Sequence, residues 1–490
     1  MDYRTLKSGS DIRGVAIATK GSDVTLTDRA VSDIVRAFVV WLGGRQRSKY
    51  DRWRIAVGHD SRLSADRIRQ VVVDKLTASG VIVYDCGLSS TPSMYLMTKH
   101  ESTDCDAAIM ITASHHPYDK NGLKLFCRGG GLEGADIGEI LETAHRISGE
   151  DIALPDPGLI KKGDYLGLYC DLLIDKIKSS TGSLRPLEGL RIAVDAGNGA
   201  GGFFAARVLE PLGANTGSSQ FLNPDGSFPN HIPNPEDSEA MASISQRVVD
   251  KGADLGIIFD TDVDRAAIVT SSGQEINRNR LIALMSAILL DDSPANPVIV
   301  TDSVTSDGLA EFLSARGIKH HRYKRGYKNV INEAIRLNSL NQNALLAIET
   351  SGHAALRENY FLDDGAYLVV KILIKFAMLA KEGKSLESLI VDLREPQESK
   401  EIRIKLKSKD WRNEGNAIIE RLTALAKEKM QMVPDNYEGI RANLLGVGWF
   451  LARLSVHDPI LVVNIESDII GGVDRIWNML GLHSRTAYKN

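Results

Sequence analysis

A chain of 490 residues is too long for one hydrophobic core, and its size predicts three or four domains. A formal net charge of −4, with 43% hydrophobic and 25% charged residues, is that of an ordinary globular protein and offers no footing for nucleic acid as a main partner. No apolar run is long enough to span a membrane, and Met1 to Gly14 lacks an apolar core of signal-peptide length. The reading is a cytoplasmic protein, or a plastid stromal one where a transit segment has been removed. Cys86, Cys105, Cys127 and Cys170 form no C-x-x-C pair, so they suggest neither zinc nor a redox motif and read as small buried hydrophobes in a reducing compartment.

Ser10 to Gly14 opens the chain, and a helical pattern follows from about Asp28 to Leu42. The apolar run Ile55 to Val57 ends in Gly58-His59-Asp60-Ser61-Arg62. A helix over about Ala65 to Ser79 and a strand over Val81 to Tyr84 come next, and Thr91-Pro92 opens another helix. Two short apolar runs, Ala107 to Ile111 and Leu123 to Phe126, read as buried strands flanking the loop Thr112-Ala113-Ser114-His115-His116-Pro117. Alternation of strand and helix predicts parallel pairing in an α/β layer.

A second unit begins around residue 165. Its strand Arg191 to Val194 enters a glycine-rich turn, Asp195 to Gly201, which lacks full G-x-G-x-x-G spacing and reads as a tight turn with close helix packing. Helix Ser238 to Lys251 leads to strand Leu255 to Phe259, the acidic Asp260-Thr261-Asp262-Val263-Asp264-Arg265, and strand Ala266 to Val269. A third unit starts near residue 279. It carries strand Val298 to Thr301, a basic run from His320 to Lys328, strand Ala344 to Ile348, Glu349-Thr350-Ser351-Gly352-His353, and helix Ala366 to Lys381. Residues 383–400 read as a charged, irregular linker. The last ninety or so residues differ: a lysine-rich helix over about Asp410 to Met430, a hairpin around Gly439 to Leu454, Ser455-Val456-His457-Asp458-Pro459, and strand Ile460 to Ile465. That pattern is α+β.

Several features carry chemistry. Ser114 sits at the tip of a loop with polar neighbours, and a serine hydroxyl there reads as a nucleophile that carries a phosphoryl group once activated. The same residue types also build ordinary solvated turns. Asp260, Asp262 and Asp264, if extended, point to one side of a strand. Three crowded carboxylates need a cation, and hard oxygen ligands select Mg²⁺ or a relative. An EF-hand is rejected, because Arg265 sits where that loop needs glycine and Ser271 where it needs a bidentate glutamate. Phosphoryl transfer also needs a base. Lys124, ten residues after Ser114, can return to the same site, and Arg13 and His353 are further candidates. Glu349, Ser351 and His353 have a spacing suited either to the vicinal hydroxyls of a sugar or to a strand-end turn with local capping. The basic run Arg322, Lys324, Arg325 and Lys328 is either a phosphate site or a solvated face.

Taken together, these segments resemble the α-D-phosphohexomutase superfamily of phosphoglucomutases and phosphomannomutases. Thr112-Ala113-Ser114-His115-His116-Pro117 resembles its phosphoserine loop, T-A-S-H-N-P. Asp260 to Arg265 resembles its metal loop, D-x-D-x-D-R, and Glu349 to His353 its sugar-binding loop, G-E-x-S-G-H. Asp11-Ile12-Arg13-Gly14, Asp60-Ser61-Arg62, Thr91-Pro92 and Asn121-Gly122-Leu123-Lys124 also match in family order. The resemblance implies three similar α/β domains with mixed sheets around a central cleft plus a C-terminal α+β domain. It places the phosphoserine loop in 1–164, the metal loop in 165–278, the sugar loop in 279–395 and a phosphate loop in 396–490.

It further implies that Ser114 is the phosphoserine, that Ser114, Asp260, Asp262 and Asp264 hold Mg²⁺, and that Arg265 gives electrostatic support. Arg13, Lys124, His115 and His353 serve catalysis. Glu349, Ser351, His353, Gly326, Lys328, Arg453, Ser455 and His457 hold the phosphosugar. The implied reaction interconverts hexose 1-phosphate and 6-phosphate, of glucose or mannose, through a hexose 1,6-bisphosphate. The partners are phosphorylated hexoses, with no nucleic acid and no membrane, in a monomer or dimer.

The chain departs from the family at its C-terminal loop. Val456 and His457 replace an amide and a threonine, and Asn464 stands where a later arginine is expected. Ile348 replaces the glycine before Glu349, and His116 an asparagine. Each hydrogen bond to a charged group contributes roughly 1.5–3 kcal/mol. Losing one or two weakens the grip on a distal phosphate by one to a few orders of magnitude. Two alternatives follow: a hexose 1,6-bisphosphate synthase that draws phosphate from another sugar bisphosphate, and a non-catalytic phosphosugar-binding regulator.

Overall fold

The apolar run Ala107–Ile111 is buried along its whole length, because both faces of its sheet are covered. Ile109 and Ile111 pack with Ile34, Phe38 and Leu141 on one face. Ala108 and Met110 face the other way, against Tyr84, Tyr95 and Phe126. The computed structural model describes residues 2–149, 157–291, 295–434, 436–455, 458–482 and 487–488. The chain divides into two compact units, one of Met1–Asn277 with Ser351–Glu387 and one of Arg278–Thr350 with Ser388–Asn490.

In the first unit, one sheet runs Lys7–Ser8, Asp11–Val15, Lys120–Cys127, Ala107–Ile111, Arg54–His59, Ile82–Leu88, Ile160–Lys162 from edge to edge. Arg54–His59 is parallel to both neighbours. Lys120–Cys127 is antiparallel to both of its main partners, Asp11–Val15 and Ala107–Ile111. The sheet is therefore mixed, as the family resemblance implied, and the parallel pairing expected from alternation holds for Arg54–His59 with both neighbours and for Ile82–Leu88 with Ile160–Lys162. The short loop after Ala107–Ile111 allows only a hairpin return, since a parallel return needs a longer crossover. Helices Asp28–Arg45, Ala65–Ala78 and Gly134–Arg146 contribute Val31, Val72 and Ile137 to one covered face.

A second sheet of this unit places Leu255–Phe259 between parallel Ile192–Asp195 and antiparallel Ala266–Thr270. Helix Ser238–Lys251 and strand Leu255–Phe259 have the bounds expected from the sequence. The glycine-rich segment after Asp195 is a tight turn: a Cβ on Gly199 would meet the Thr261 carbonyl at 2.7 Å. Helices Tyr165–Thr181 and Gly365–Lys381 pack together against this layer.

In the second unit, Pro297–Thr301 lies between Lys319–Arg322 and Asn343–Ile348, all parallel. Helices Arg278–Leu290, Asp307–Ala315 and Tyr327–Ser339 accompany them. An antiparallel sheet follows, with Ile440–Leu444, Gly448–Leu454, Ile460–Ser467 and Glu398–Lys405 in that order, packed by Trp411–Lys429 and Gly472–Leu480. The expected linker 383–400 is ordered instead: a 3-10 turn covers Leu386–Leu389, and Glu398 opens a strand. Its later residues alternate, Ile402 and Ile404 inward and Arg403 and Lys405 outward, a period that the charged composition hides. Arg441 ties the parallel layer to the antiparallel sheet. Buried, it donates to the carbonyls of Ser303 (2.8 Å) and Thr305 (2.9 Å) and to Asp307 (2.8 Å), and it stacks on Trp449. Among the described residues no helix is long and apolar enough to cross a membrane.

Candidate active site

Two strand ends meet two strained loops in the first unit. Ser114 follows Ala107–Ile111 and adopts φ +51°; Val263, inside the acidic triplet, adopts φ +66°. A β-branched residue at such a φ is a rare conformation that surrounding structure must hold in place. The triplet is thus not the extended segment that its spacing suggested. It is a tight turn between Leu255–Phe259 and Ala266–Thr270, closed by Val263 N–H donating to the Asp260 carbonyl at 3.3 Å. The turn still converges the three carboxylates, with oxygens from each within 4.8 Å of one another and all three residues buried.

The serine lies against this cluster. Ser114 Oγ donates to Asp260 Oδ2 at 3.1 Å. Arg265, itself buried, donates from Nη2 to Ser114 Oγ at 3.2 Å, to Asp260 Oδ2 at 3.1 Å and to His115 Nδ1 at 2.6 Å. His115 is therefore the acceptor at Nδ1. Burial, and then the charge of Arg265, push it down to about 2, so it is neutral near pH 7. Lys124 enters from Lys120–Cys127, and its Nζ donates to Asp262 Oδ2 at 2.8 Å and to Asp264 Oδ2. Burial works upward on Asp264, but Lys124, His353 and Arg265 outweigh it and hold that carboxyl well below the usual range. Burial and then the Asp264 charge push Asp260 well above its ordinary value. His353 Nε2 is 3.6 Å from both Asp264 Oδ1 and Asp363 Oδ2, and its Nδ1 is 2.9 Å from Ser351 Oγ. Arg13, on the strand paired to Lys120–Cys127, is held by Asp11 at 2.8 Å and lies within electrostatic reach of His115.

The donor set fits a hard divalent cation such as Mg²⁺. All three ligand groups are carboxylates, and Asp262 Oδ1 and Asp264 Oδ1 are buried with no hydrogen-bond partner among the described residues. Thr91, Asp60, Arg62, Asn234 and Glu236 were not singled out by sequence reasoning and belong to the surround. Thr91 Oγ1 donates to Asp262, and its backbone N–H donates to the Asp262 carbonyl at 2.8 Å. Asn234 Oδ1 accepts from Arg265 Nη1 at 3.1 Å, with Glu236 at 3.6 Å. The motif fragments Thr91-Pro92 and Asp60-Ser61-Arg62 were the only signal for any of them.

The remaining candidates gather in the second unit. Glu349 Oε1 accepts from the backbone N–H of Gly326 at 2.6 Å, and Gly326, at φ +117°, caps helix Tyr327–Ser339, whose first turn carries Lys328. Asp302, fully buried, accepts from Thr350 Oγ1 at 2.8 Å and is pushed up to about 7 by burial and then by Glu349. Arg453 is buried on Gly448–Leu454, its Nε without a hydrogen-bond partner among the described residues; burial works its guanidinium below the ordinary value, with the charge of Glu438 opposing. Ser455 N–H donates to the Ile460 carbonyl at 2.9 Å. Asn464 donates to Glu401 Oε2 at 3.1 Å. Val456 and His457 lie outside the described residues.

Comparison with known proteins places the chain in a family. Family models described as phosphoglucomutase/phosphomannomutase α/β/α domains I, II and III match residues 4–150, 168–273 and 277–396. A phosphoglucomutase of Neisseria gonorrhoeae is 31% identical over 476 residues, 97% of this chain and 95% of the relative. A phosphomannomutase/phosphoglucomutase of Pseudomonas putida is 30% identical over 442 residues, 89% of each chain. A phosphoglucosamine mutase of Solibacter usitatus is 31% identical over 438 residues, 89% of this chain and 90% of the relative. The crystal structure of a phosphoglucomutase/phosphomannomutase family protein from Burkholderia thailandensis superposes with a TM-score of 0.82 at 26% identity, covering 99% of this chain and 100% of that one. The chain therefore belongs to the phosphoglucomutase/phosphomannomutase family of the α-D-phosphohexomutase superfamily.

Proposed function

We propose that the protein is a hexose-phosphate mutase that carries a phosphoryl group on Ser114 and passes it to and from a phosphorylated hexose. The observation that supports this most directly is the 3.1 Å contact of Ser114 Oγ with Asp260, inside a buried triplet of carboxylates. Transfer breaks the bond from phosphorus to Ser114 Oγ and forms one to a sugar oxygen, whose proton leaves to a base. Lys124, Arg13 and His353 are the groups assigned to that proton. Arg265, fixed by Asp260 and His115, holds the serine oxygen and offsets its charge as the bond breaks. Asp260, Asp262 and Asp264 would hold Mg²⁺, which when bound offsets phosphate charge.

On the family resemblance, Glu349, Ser351, His353, Gly326, Lys328, Arg453, Ser455 and His457 are assigned to the phosphosugar. The relatives carry the names of glucose, mannose and glucosamine mutases, and these three hexose phosphates form the test panel. Intact-mass detection of one phosphate on Ser114, removable by a hexose monophosphate and absent in Ser114→Ala, tests the reading. Undiminished turnover in Ser114→Ala would overturn it.

A second reading draws support from Asn464. Where the family resemblance expects an arginine, neutral Asn464 instead bonds Glu401, a carboxylate that Arg403 already pairs at 2.8 Å, so the position offers no cation to a phosphate. A weakened distal clamp favours release of the bisphosphate, and hence a hexose 1,6-bisphosphate synthase. Supplying hexose monophosphates with fructose 1,6-bisphosphate and following products by ³¹P NMR separates the two. Isomerisation without accumulating bisphosphate leaves the mutase.

A further inference from the structure

The serine loop is wrapped around a buried cation. Arg62 is 2% exposed, and its two terminal nitrogens donate to four carbonyls of one loop. Nη2 reaches the carbonyls of Ser114 and His116 at 2.5 Å each; Nη1 reaches those of Pro117 at 2.7 Å and Lys120 at 2.8 Å. The segment from Ser114 to Lys120 therefore closes on a single planar fork. Only a guanidinium supplies two nitrogens in that geometry.

A second arm starts from the same place. Asp60 accepts the Arg62 backbone N–H at 2.9 Å and the Thr112 hydroxyl at 2.6 Å, and the Thr112 hydroxyl accepts the Ser114 N–H at 2.9 Å. Ser114 is thus gripped at both its N–H and its carbonyl, on either side of its strained φ of +51°. The far side of Arg62 is covered from the metal-loop layer. Phe228 lies over its guanidinium at 5.4 Å, and a Cβ on Gly226 would meet the Leu63 nitrogen at 2.3 Å.

We infer that Arg62 is the positioning residue of the serine loop: by gathering four of its carbonyls, it holds the left-handed Ser114 with its hydroxyl on Asp260. Arg62 touches neither the triplet nor the hydroxyl, so its effect passes through backbone. The inference rests on the reading of Ser114 as the phosphoryl carrier. A displacement of about 1 Å at a reacting atom can cost about 100-fold in rate.

The test uses the full chain with Mg²⁺, as Arg62→Met and Arg62→Lys. Each is offered glucose 1,6-bisphosphate, and the rate at which Ser114 gains phosphate is followed by quenched intact-mass measurement. The metal-free melting temperature and the Mg²⁺ concentration for half-maximal activity are measured alongside. Arg62→Lys keeps the charge but not the fork. It is expected to fold, to need Mg²⁺ at the wild-type concentration, to keep KM for the hexose phosphate, and to gain phosphate about 100-fold more slowly. Arg62→Met is expected to be slower still. If Arg62→Met does not fold, Arg62→Lys carries the comparison. Phosphorylation within twofold of wild type in a folded Arg62→Lys, whatever its melting temperature, overturns the inference. If wild type itself takes no phosphate on Ser114, the underlying reading fails instead and takes this one with it.

Discussion

Replacing Lys124 by methionine isolates the charge balance of the acidic turn. Asp260, Asp262 and Asp264 face two cations at hydrogen-bonding distance, Lys124 and Arg265. Lys124 Nζ is buried, 2.8 Å from Asp262 and in contact with Asp264. At an effective dielectric constant of 20, each such pair is worth roughly 4–6 kcal/mol of gross attraction, partly offset by desolvation. Breaking a buried pair by removing one partner typically leaves a net loss of about 3–5 kcal/mol. In a domain of this size that corresponds to a fall of roughly 5–15 °C in melting temperature. Mg²⁺ supplies charge to the same oxygens, so it should restore most of the loss. Melting curves of wild type and Lys124→Met, each in chelator and in excess Mg²⁺, provide the comparison. The expected pattern is a large gap in chelator and a small one with Mg²⁺, together with lost turnover. Equal melting in chelator, or a gain from Mg²⁺ no larger in the variant than in wild type, would refute the reasoning.

Other perturbations probe other parts of the molecule. Glu466 is pushed up to about 7 by burial, with Arg441 opposing, and accepts from Trp449 Nε1 at 3.1 Å. Because the fold binds this proton more tightly than the unfolded chain, stability falls as pH rises from about 4.5 to about 7 and then levels. Glu466→Gln keeps an acceptor for Trp449 and removes the charge, so it should be more stable than wild type at pH 8, by on the order of 3 kcal/mol, with the gap closing below pH ~4.5 in urea melts. Arg441→Met removes the donor to Ser303, Thr305 and Asp307 and should cost about 3–5 kcal/mol, read as a lower urea midpoint in the second unit. Gly122→Ala would place a Cβ 2.2 Å from the Ile12 carbonyl and 2.8 Å from that of Thr112, forcing apart the strands that carry Arg13 and Lys124. A loss of roughly 1–3 kcal/mol, seen in thermal melts together with reduced activity, is expected.

Much of the molecule was legible in one dimension, and its limits have a physical cause. Local periodicity placed Ala107–Ile111, Ser238–Lys251 and Leu255–Phe259 at their observed bounds, because burial on both faces or on one helical face leaves a continuous or 3.6-residue apolar trace. Residue chemistry likewise identified the serine loop and the acidic triplet as candidate parts. Strand Glu398–Lys405 was missed because its outward side is almost wholly charged.

What tertiary structure alone decided is which parts meet, and how. The triplet converges through a turn strained at Val263, not through an extended strand, since backbone conformation there is imposed by packing that local spacing does not record. The approach of Ser114 to Asp260 spans 146 residues, and that of Lys124 to Asp262 spans 138. Arg62, marked in sequence only by the short match Asp60-Ser61-Arg62 and by nothing that gives it a role, is buried beneath the loop because the mixed sheet turns its four carbonyl partners toward one guanidinium. Side-chain type sets which bonds a residue is able to make; the register of distant strands sets which of them it makes.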